Sequence, residues 1–466
     1  MRTEPPYVAL RELATLAGMD AASDSLVEFS GADPVFPTLY RIGAAGAAAL
    51  AATALAAGDL CALRSGRYQR ISVDLRAAAA SLRSARYLRI DGKPPPGPWD
   101  PMSGFYPVRD GRWVSIHCNF PSHRDAALRA LGSKEDRAAA EAASATWDGT
   151  ALEDAIHAAG GCAGLARSAE EWAKHPQAEA VATQPLLEIR RIGDAPPEPL
   201  LARERPLSGV RVLDLTRVLA GPTCGRTLAE HGADVLRITA PHLADSGAMD
   251  IDTGHGKLSA HVDLRLRGGA ETLRSLLGEA DIFSQSYRPG ALAGRGFSPD
   301  QAAVLRPGII CVSLSAWGDT GPWGQRRGFD SIVQTVSGMA VASGDGAKPR
   351  LLPVSAIDYV AGNLMAFGAM LALARRAREG GSWLVRVALA RTGLWIVQRG
   401  TLSAEALAGV PAELPNEELL SLYTETDSPA GRLRHLKPAV AMSETPPRWE
   451  RPAVPLGHHA PAWPAR

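Results

Sequence analysis

The sequence has few cysteines and almost no net charge. Five cysteines are scattered through 466 residues, and no two of them form a CxxC pair. An odd and dispersed set is not typical of a disulfide framework or a zinc cluster, and it fits a reducing compartment. The formal net charge of +1 gives no basis for nucleic acid or an anionic membrane as a partner. We therefore expect a cytoplasmic protein that binds neither nucleic acid nor a membrane.

Several motifs of cofactor and nucleophile chemistry are also absent. The chain has no G-x-G-x-x-G after a predicted strand and no G-x-x-x-x-G-K-[ST], which disfavours a dinucleotide oxidoreductase and ATP-driven activation. It has no G-x-S-x-G nucleophile elbow. His117, Cys118 and His123 are close in sequence, but they lack a ligand spacing with a matching partner elsewhere. We expect no metal and no permanently bound cofactor.

Membrane and secretion signals are missing too. The N-terminus has no basic head followed by an apolar run, so we predict no signal peptide. Residues 44–57 are apolar but too short and too alanine-rich to span a bilayer. Hydrophobic residues make up 46% of the chain and charged residues 21%, which is typical of a soluble globular protein. The length predicts two or three domains.

One acid stands out, Asp358, in the stretch LLPVSAIDYVAGNLMAFGAMLALARRAR (351–378). The residues after it are apolar or small on every side until Arg375, and a helix that is apolar all round is normally buried. Asp358 occupies the position expected of an N-cap, at the positive end of that helix. Two interpretations stay open at this point: a capping aspartate, or a carboxylate nucleophile held in a cleft.

Strands and helices alternate in the second half of the chain. Predicted strands cover 210–215, 233–238, 280–284 and 308–314, and predicted helices cover 223–230, 268–277 and 299–305. This alternation predicts an α/β fold with a parallel, doubly wound sheet. Ligands of such sheets bind at the carboxyl ends of the strands, where the loop 216–222 would lie.

The first half is organised differently. An alanine-rich helix is predicted at 43–63, a strand leads to Leu75, and a β-hairpin is predicted at 105–117 with its turn at Asp110-Gly111. We divide the chain into an N-terminal helical segment (1–90), a small α/β domain (91–200), a large domain (206–395) and an extended C-terminal tail (396–466).

Residues 206–395 resemble the class III CoA-transferases, the CaiB/BaiF family. The matching stretches occur in the family's order: PLSGVRVLDLTRVLAGP (206–222), HGADVLRI (231–238), GKLSAHVDL (256–264), ADIFSQSYRPGAL (280–292), GP (321–322), GFD (328–330) and DYVAGNLMAFGAMLAL (358–373). The hairpin and residues 165–182 resemble the family's small domain more weakly.

The resemblance implies a function and a set of site residues. It implies an acyl-CoA:carboxylate CoA-transferase with a Rossmann-like CoA-binding domain, and an interlocked homodimer. Its substrates would be a coenzyme A thioester and a small carboxylic acid. Asp358 would be the nucleophile and form an aspartyl-acyl mixed anhydride. The expected CoA-binding residues are Val218, Leu219, Ala220, Arg237, Lys257, Leu264, Arg265, Ser286, Tyr287, Arg288 and Arg295.

The sequence departs from the family pattern at several positions. Leu219 stands where a glutamine is often found, Thr239 replaces a common acid, and Ser286 replaces a common asparagine. These departures keep open a non-catalytic, CoA-binding relative. The racemases of the same superfamily need a histidine in a GHD triplet. Here Phe329 takes that place and cannot transfer a proton, which disfavours a racemase.

The chain also contains an internal echo. A long apolar helix, a basic residue, a glycine turn and an alternating strand occur at 43–75 and again at 359–389. The position that matches Asp358 in the earlier stretch falls near Ala44, which carries no carboxylate. Chance similarity between two alanine-rich helices is the alternative. Our hypothesis is a tandem duplication that lost its outer pieces, with the remaining parts in permuted order.

Overall fold

The computed structural model describes residues 2–19, 25–97 and 99–465. The helices of these residues are α1 (Pro5–Ala17), α2 (Ile42–Ser65), α3 (Leu75–Ser81), α4 (Ser84–Tyr87), α5 (Pro121–Leu131), α6 (Arg137–Ser144), α7 (Gly149–Ala158), α8 (Ala169–Ala173), α9 (Pro176–Thr183), α10 (Ala220–Glu230), α11 (Ala248–Asp252), α12 (Arg267–Gly278), α13 (Pro299–Leu305), α14 (Asp330–Val336), α15 (Met339–Ala342), α16 (Ala356–Glu379), α17 (Leu389–Val397), α18 (Ala404–Leu407) and α19 (Asn416–Leu422). The strands are β1 (Val27–Ser30), β2 (Ile71–Asp74), β3 (Arg89–Ile90), β4 (Gly104–Pro107), β5 (Trp113–Ile116), β6 (Ala163–Leu165), β7 (Glu188–Gly193), β8 (Arg211–Leu215), β9 (Asp234–Thr239), β10 (Lys257–His261), β11 (Ile282–Gln285), β12 (Ile310–Ser315), β13 (Ser382–Ala388), β14 (Tyr423–Ser428), β15 (Gly431–Leu436) and β16 (Val440–Met442).

The predicted parallel sheet is confirmed as the centre of an α/β fold. It has seven strands in the order β10-β9-β8-β11-β12-β13-β7. The first six strands run parallel, and β7 pairs antiparallel with β13 at the edge. Alternate residues of β8 point to opposite faces: Val212 packs into one apolar core and Leu213 into the other. Both faces of the sheet are therefore buried, as its apolar strands require.

Helices cover the two faces as separate layers. α10 and α16 share the core of one face, and α12 and α13 share the core of the other. α16 is the crossover that leads from β12 towards β13, and it also packs against α10 and α2. Both α2 and α16 are long and apolar enough to cross a membrane, but 78% and 100% of their most apolar windows are buried inside the protein. They are accordingly packed as core helices.

The small domain is built on the predicted hairpin. β4 and β5 pair antiparallel, with Phe105 opposite Ser115, and β6 adds a third strand. α5, α6 and α7 contribute to an apolar core of their own on this sheet. Its boundary needs a correction, because β7 lies within the predicted range 91–200 but joins the large sheet. The side chains of β7 are half-buried or exposed, as in an edge strand, and its sequence does not indicate that it pairs with β13.

The internal echo is present as a repeated structural unit. β1 and β2 pair parallel on either side of α2, and α3 follows β2 directly. β12 and β13 pair parallel on either side of α16, and α17 follows β13 directly. The two long helices are both 24 residues long. The predicted helical segment 1–90 therefore also contains strands, and it forms its own small sheet with β16.

The predicted extended tail 396–466 is wrong over its first half. α18 and α19 lie there, β14 and β15 form an antiparallel hairpin that continues to β3, and β16 pairs with β2. The hairpin sequence is polar on one face and carries few apolar residues, so its strands depend on β3 and on the buried Leu433 for their stability. Residues 443–465 do lie extended on the body, with a single bridge from His459 to Ala260.

A glycine allows the close crossing of α10 and α16. A Cβ atom added to Gly362 would lie 2.4 Å from the carbonyl oxygen of Ala220 and 2.7 Å from Cβ of Thr223. We predict that Gly362→Ala lowers the free energy of unfolding by about 1–3 kcal/mol through overpacking. Chemical denaturation measures the change.

The matched control is Gly58→Ala in α2, where the nearest atom to an added Cβ is Cγ of Gln69 at 3.9 Å. This change should be neutral or stabilise the protein by about 0.5–1 kcal/mol, because alanine favours the helix. Equal losses from both variants would contradict the proposed crossing.

Candidate active site

A cavity of about 290 Å³ opens at the carboxyl ends of the central strands. It lies where the strand order reverses between β8 and β11, the usual ligand position in an open α/β sheet. The loops that follow these two strands form part of its wall. The lining residues are Phe120, Ser122, His123, Arg217, Val218, Leu219, Ala220, Ser286, Tyr287, Arg288, Pro289, Ala291, Leu314, Ser315, Ala316, Gly324, Arg326, Arg327, Gly328, Phe329, Asp358 and Leu389.

The loop after β8 has a strained backbone at the cavity. Val218 has φ of 71°, in the left-handed region that a β-branched residue rarely adopts. The N–H of Arg217 donates to Oγ of Ser286 at 3.1 Å, which ties this loop to the loop after β11. Leu219 precedes α10, and no side chain caps that helix. Strain of this kind often occurs at functional sites, where the surrounding structure holds an unfavourable conformation.

Asp358 lies in the wall of this cavity, but it is not the N-cap. α16 begins at Ala356, three residues earlier than the cap interpretation requires, so Asp358 is the third helical residue. Only 8% of its surface is exposed. The cap position falls on Ser355, whose side chain makes no capping hydrogen bond. The sequence could not show this shift, because the acceptor that caps the helix comes from another element.

That acceptor is the carboxylate of Asp330, at the start of α14. The N–H of Asp358 donates to Oδ2 of Asp330 at 3.0 Å, and the N–H of Ile357 bonds to the same carboxylate. Gln334 also donates to Asp330 and accepts the N–H of Leu352 at 2.8 Å. Asp330 thus joins α14 to the first turn of α16, the turn that carries Asp358.

The two aspartates shift each other's titration. Burial raises the pKa of Asp330 to about 6, although the hydrogen bonds from the first turn of α16 oppose this shift. Burial and the nearby carboxylate of Asp330 raise the pKa of Asp358 well above the usual range of an aspartate. Two buried like charges cannot ionise as easily as two separate ones. The dipole of α16 favours the anion and acts against this cost.

The small domain supplies the opposite wall. Phe120, Ser122 and His123 lie at the beginning of α5, and they face the loop that carries Phe329. The ring of Phe329 stacks on His117, with centroids 3.8 Å apart, and lies 5.8 Å from His123. Burial and nearby arginines lower the pKa of His123 to about 4. His123 is therefore neutral near pH 7, and its buried Nδ1 has no hydrogen-bond partner among the residues that the structure describes.

The predicted site residues fall into two groups. Seven of them line the cavity: Val218, Leu219, Ala220, Ser286, Tyr287, Arg288 and Asp358. Leu264, Arg265 and Arg295 cluster after β10, outside the cavity wall. There Arg265 pairs with Asp263 at 2.6 Å, and Arg295 donates to the carbonyl oxygen of Leu264 at 2.6 Å.

The structure does not bring Arg237 and Lys257 to the cavity. Lys257 donates to Asp214 at 2.8 Å in a pair whose side chains are both fully buried, and burial lowers the pKa of Lys257 to about 8. Arg237 is buried against Asp250 at 3.1 Å. Both cations neutralise an internal acid, because an unpaired charge at these buried positions would be costly. Neither is free for a phosphate.

Sequence reasoning missed several lining residues, namely Phe120, Ser122, His123, Arg217, Arg326 and Arg327, and the capping residue Asp330. The only sequence signal for Asp330 is the GFD triplet, whose middle residue, Phe329, bears on the racemase alternative. The sequence neighbours of His123 suggest no role for it beyond that of a metal ligand. Within the described ranges 2–19, 25–97 and 99–465, no three His, Cys, Asp or Glu side chains lie together as a metal site would require.

The raised pKa of Asp358 predicts a pH-dependent gain of stability in Asp358→Asn. A carboxyl whose pKa is raised by folding stabilises the protein below its unfolded pKa and loses that contribution as pH rises through the folded pKa. The asparagine variant should therefore be more stable than the parent at pH 8, and the difference should shrink towards pH 4. Thermal unfolding at both pH values measures it.

The control is Asp345→Asn. Backbone N–H groups of Lys348 and Ala347 hold the pKa of the exposed Asp345 below its usual range, so its replacement should give no gain at pH 8. A gain of equal size in both variants would show that burial of Asp358 is not the cause.

Comparison with known proteins identifies the family. The model of CoA-transferase family III matches residues 17–197 and 207–426. The acetyl-coenzyme A transferase nodX of Hypoxylon pulicicidum is 35% identical over 202 residues, which are 42% of this chain and 34% of that protein. The succinyl-CoA–D-citramalate CoA-transferase of Chloroflexus aurantiacus is 30% identical over 241 residues, 48% of this chain and 60% of that protein.

One relative aligns with more of the chain. An acyl-CoA transferase of Gibberella moniliformis is 26% identical over 408 residues, which are 75% of this chain and 71% of that protein. A match of this extent includes residues of both halves. By contrast, the chain spans only about a third to three-fifths of the length of the two more similar relatives. The family match over both halves nevertheless accounts for most of the sequence, and the chain belongs to CoA-transferase family III.

Proposed function

We propose that the protein is an acyl-CoA:carboxylate CoA-transferase in which Asp358 is the nucleophile. One observation carries this proposal: Asp358 is the only carboxylate that lines the cavity among the described residues, and it lies in the first turn of a buried helix. Membership of the family and the names of its relatives support the reaction class. The named relatives include a succinyl-CoA:glutarate CoA-transferase of Homo sapiens.

In the first step, a carboxylate oxygen of Asp358 bonds to the carbonyl carbon of the thioester. The carbon–sulfur bond then breaks, and its electron pair leaves with the CoA thiolate, so that an aspartyl-acyl mixed anhydride remains. The N-termini of α10 and α16 both lie at the cavity, and α10 has no side-chain cap. Because Asp330 already accepts the first N–H groups of α16, the N–H groups at the start of α10 are the ones suited to stabilise the negative charge of the tetrahedral intermediate, and the dipole of that helix favours the same charge. This exchange needs no ATP, because a thioester is exchanged for a thioester.

The strand order of the large sheet supports a CoA-binding position at the carboxyl ends of its strands. Counted in chain order from β8, the six parallel strands have the order 3-2-1-4-5-6, and we interpret them as Rossmann-like. Val218, Leu219, Ala220, Ser286, Tyr287 and Arg288 would then contact CoA at the strand ends. We further propose that the protein is cytoplasmic, that it acts as a homodimer, and that its first half derives from a degenerate tandem copy of the family module.

The nucleophile can be tested by trapping. With an acetyl-CoA donor and hydroxylamine, the parent protein should accumulate a hydroxamate that peptide mass spectrometry maps to Asp358. Asp358→Ala should give no adduct. Because the pKa of Asp358 is raised and only the carboxylate attacks, the trapping rate should fall on acidification with a midpoint above the usual carboxyl range. CoA binding without any adduct in the parent would instead support the non-catalytic relative.

A second candidate activity is proton exchange at carbon 2 of a bound acyl-CoA. Although Phe329 cannot transfer a proton, the neutral imidazole of His123 faces the same cavity and has an unpartnered Nδ1. Asp358, with its raised pKa, provides a second group that holds a proton in that cavity. One group could remove the C2 proton while the other returns a proton.

If the protein exchanges the C2 proton, it should incorporate deuterium from heavy water into 2-methylacyl-CoA. Mass spectrometry measures this incorporation. His123→Gln should abolish the incorporation, whereas His261→Gln, at an exposed position outside the cavity, should leave it unchanged. If the parent protein incorporates no deuterium while it transfers CoA, the cavity is a transferase site alone.

A further inference from the structure

The segment that joins β12 to α14, residues 316–329, forms one wall of the cavity and contains no helix or strand. We call it the wall loop. The residues through which it lines the cavity are Ala316, Gly324, Arg326, Arg327, Gly328 and Phe329. The next residue is Asp330, whose carboxylate accepts the N–H of Asp358 at 3.0 Å. The position of the wall loop therefore bears on the turn that carries Asp358.

The two ends of the wall loop are held together. The indole N–H of Trp317 donates to the carbonyl oxygen of Arg327 at 3.1 Å, and the ring of Trp317 is buried. A Cβ atom added to Gly328 would lie 2.6 Å from Cβ of Ala316, so the backbone there has no free space. A shift of the loop at Trp317 therefore also moves Gly328, two residues before Asp330.

A single side chain from the first half of the sequence binds the backbone of the wall loop. Gln177, the second residue of α9, is fully buried. Its amide nitrogen donates to the carbonyl oxygens of Trp317 and Thr320, both at 3.0 Å, and its amide oxygen accepts the N–H of Trp323 at 2.7 Å. Buried backbone groups without a partner are costly, so this amide stabilises three of them at once.

The wall loop fits closely around this amide. Gly321 has φ of 80°, and a Cβ atom added to it would lie 2.5 Å from Oε1 of Gln177. The rings of Trp317 and Trp323 lie 4.9 Å apart, and each also lies near the ring of Trp172 in α8, at 6.2 and 5.6 Å. The ring contacts bury the loop against α8, but apolar contacts have no strict direction. Hydrogen bonds do, so Gln177 determines the orientation of the loop.

We propose that Gln177 is a positioning residue of the transferase reaction: its amide orients the wall loop, and the wall loop holds Asp330 against the turn that carries Asp358. The inference rests on the proposed transferase function. Gln177 does not line the cavity, so it acts through Trp317 and Asp330 rather than on the substrate. A nucleophile reacts efficiently only when it is held close to its attack geometry, and a small displacement of its support is enough to slow it.

The test uses Gln177→Met, which keeps the length of the side chain and removes all three hydrogen bonds. The rate of hydroxamate trapping at saturating acetyl-CoA should fall on the order of 10- to 100-fold, because the nucleophile is displaced. The affinity for CoA, measured by calorimetry, should stay within about two-fold of the parent's, because the change affects the reacting step and not uniform binding. The hydrogen bonds of Gln177 reach neither the loop after β8 nor the loop after β11.

The pH profile of trapping is a second measurement. Burial and the charge of Asp330 raise the pKa of Asp358. A displaced wall loop admits water and draws Asp330 away, and both changes lower that pKa towards its usual range. Because only the carboxylate attacks, the midpoint of the trapping rate should move to lower pH in Gln177→Met. A loss of stability alone would leave the midpoint unchanged.

The matched control is Gln69→Met. Gln69 is also a buried glutamine, and its amide oxygen accepts the N–H groups of Glu444 and Thr445 at 3.2 and 3.1 Å, so it holds the C-terminal segment and not the wall loop. This variant should lose thermal stability as Gln177→Met does, with its trapping rate and pH midpoint equal to the parent's. An equal fall of the rate in both variants, or no fall in Gln177→Met, would overturn the inference.

If Gln177→Met fails to fold, Gln177→Asn decides. The asparagine keeps an amide, but it is shorter by one methylene group and cannot reach all three backbone groups. A lower trapping rate with the midpoint moved to lower pH supports the inference, and a rate and midpoint equal to the parent's overturn it.

Hydrogen exchange separates this inference from the proposed function. The N–H groups of Ile357 and Asp358, which Asp330 holds, should exchange faster in Gln177→Met than in the parent, and mass spectrometry of the peptide that contains them measures this. A hydroxamate in the parent, with parent-like trapping and exchange in Gln177→Met, leaves the transferase and removes the role of Gln177. If the parent forms no hydroxamate, faster exchange in Gln177→Met keeps the link from Gln177 to α16 without the transferase, and unchanged exchange overturns both.

Discussion

The first backbone N–H groups of a helix have no partner inside the helix, and in a buried helix water cannot supply one. At the start of α16 the carboxylate of Asp330 meets this need by accepting the N–H groups of Ile357 and Asp358. The same two bonds hold the turn that carries the carboxyl group that we propose as the nucleophile, and they bring a second acid close to it. Burial raises the pKa of Asp358, and the charge of the acid that holds the helix raises it further. Fold and chemistry depend on one set of hydrogen bonds.

The rest of the chain keeps that helix in place. Tyr359, next to Asp358, bonds with Ser84 from the first half, and Ser84 donates to Asp252, which also pairs with Arg226 of α10. Gly362 allows α10 to pass close by, and α2 covers another side of α16. The first half therefore contributes twice: its long helix supports α16, and its small domain lines the cavity with Phe120 and His123. This division explains why the chain needs both halves.

Sequence patterns over a few residues predict those elements whose formation depends on nearby residues. The sequence pattern predicts β8, β9, β11, β12 and β13 of the large sheet, but not β10 or β7. It also singles out Asp358 at the start of an all-apolar helix, and this residue lines the cavity. Contacts between distant residues escaped prediction. Lys257 is a residue type that often binds phosphate. Only the structure shows that its ammonium group is buried and already paired with Asp214. His123 lies 235 positions before Asp358 in sequence, so no spacing could have brought the two into one cavity. In the polar hairpin after residue 422, β15 pairs with β3, which is more than 300 residues away in the sequence.

The earlier copy of the helix unit shows which of its acids the fold requires. In α2, Asp33 accepts the N–H groups of Gly43 and Ala44 at 2.9 and 2.8 Å, at the same second and third helical positions that Asp330 serves in α16. Ala44 takes the place of Asp358. The earlier unit therefore keeps an acid that holds the start of its helix and has no carboxyl group at the position of Asp358. In other members with two such units, retention of the capping acid alone would mark a half that is kept for its architecture, and the presence of both acids would mark a half that still works on substrate.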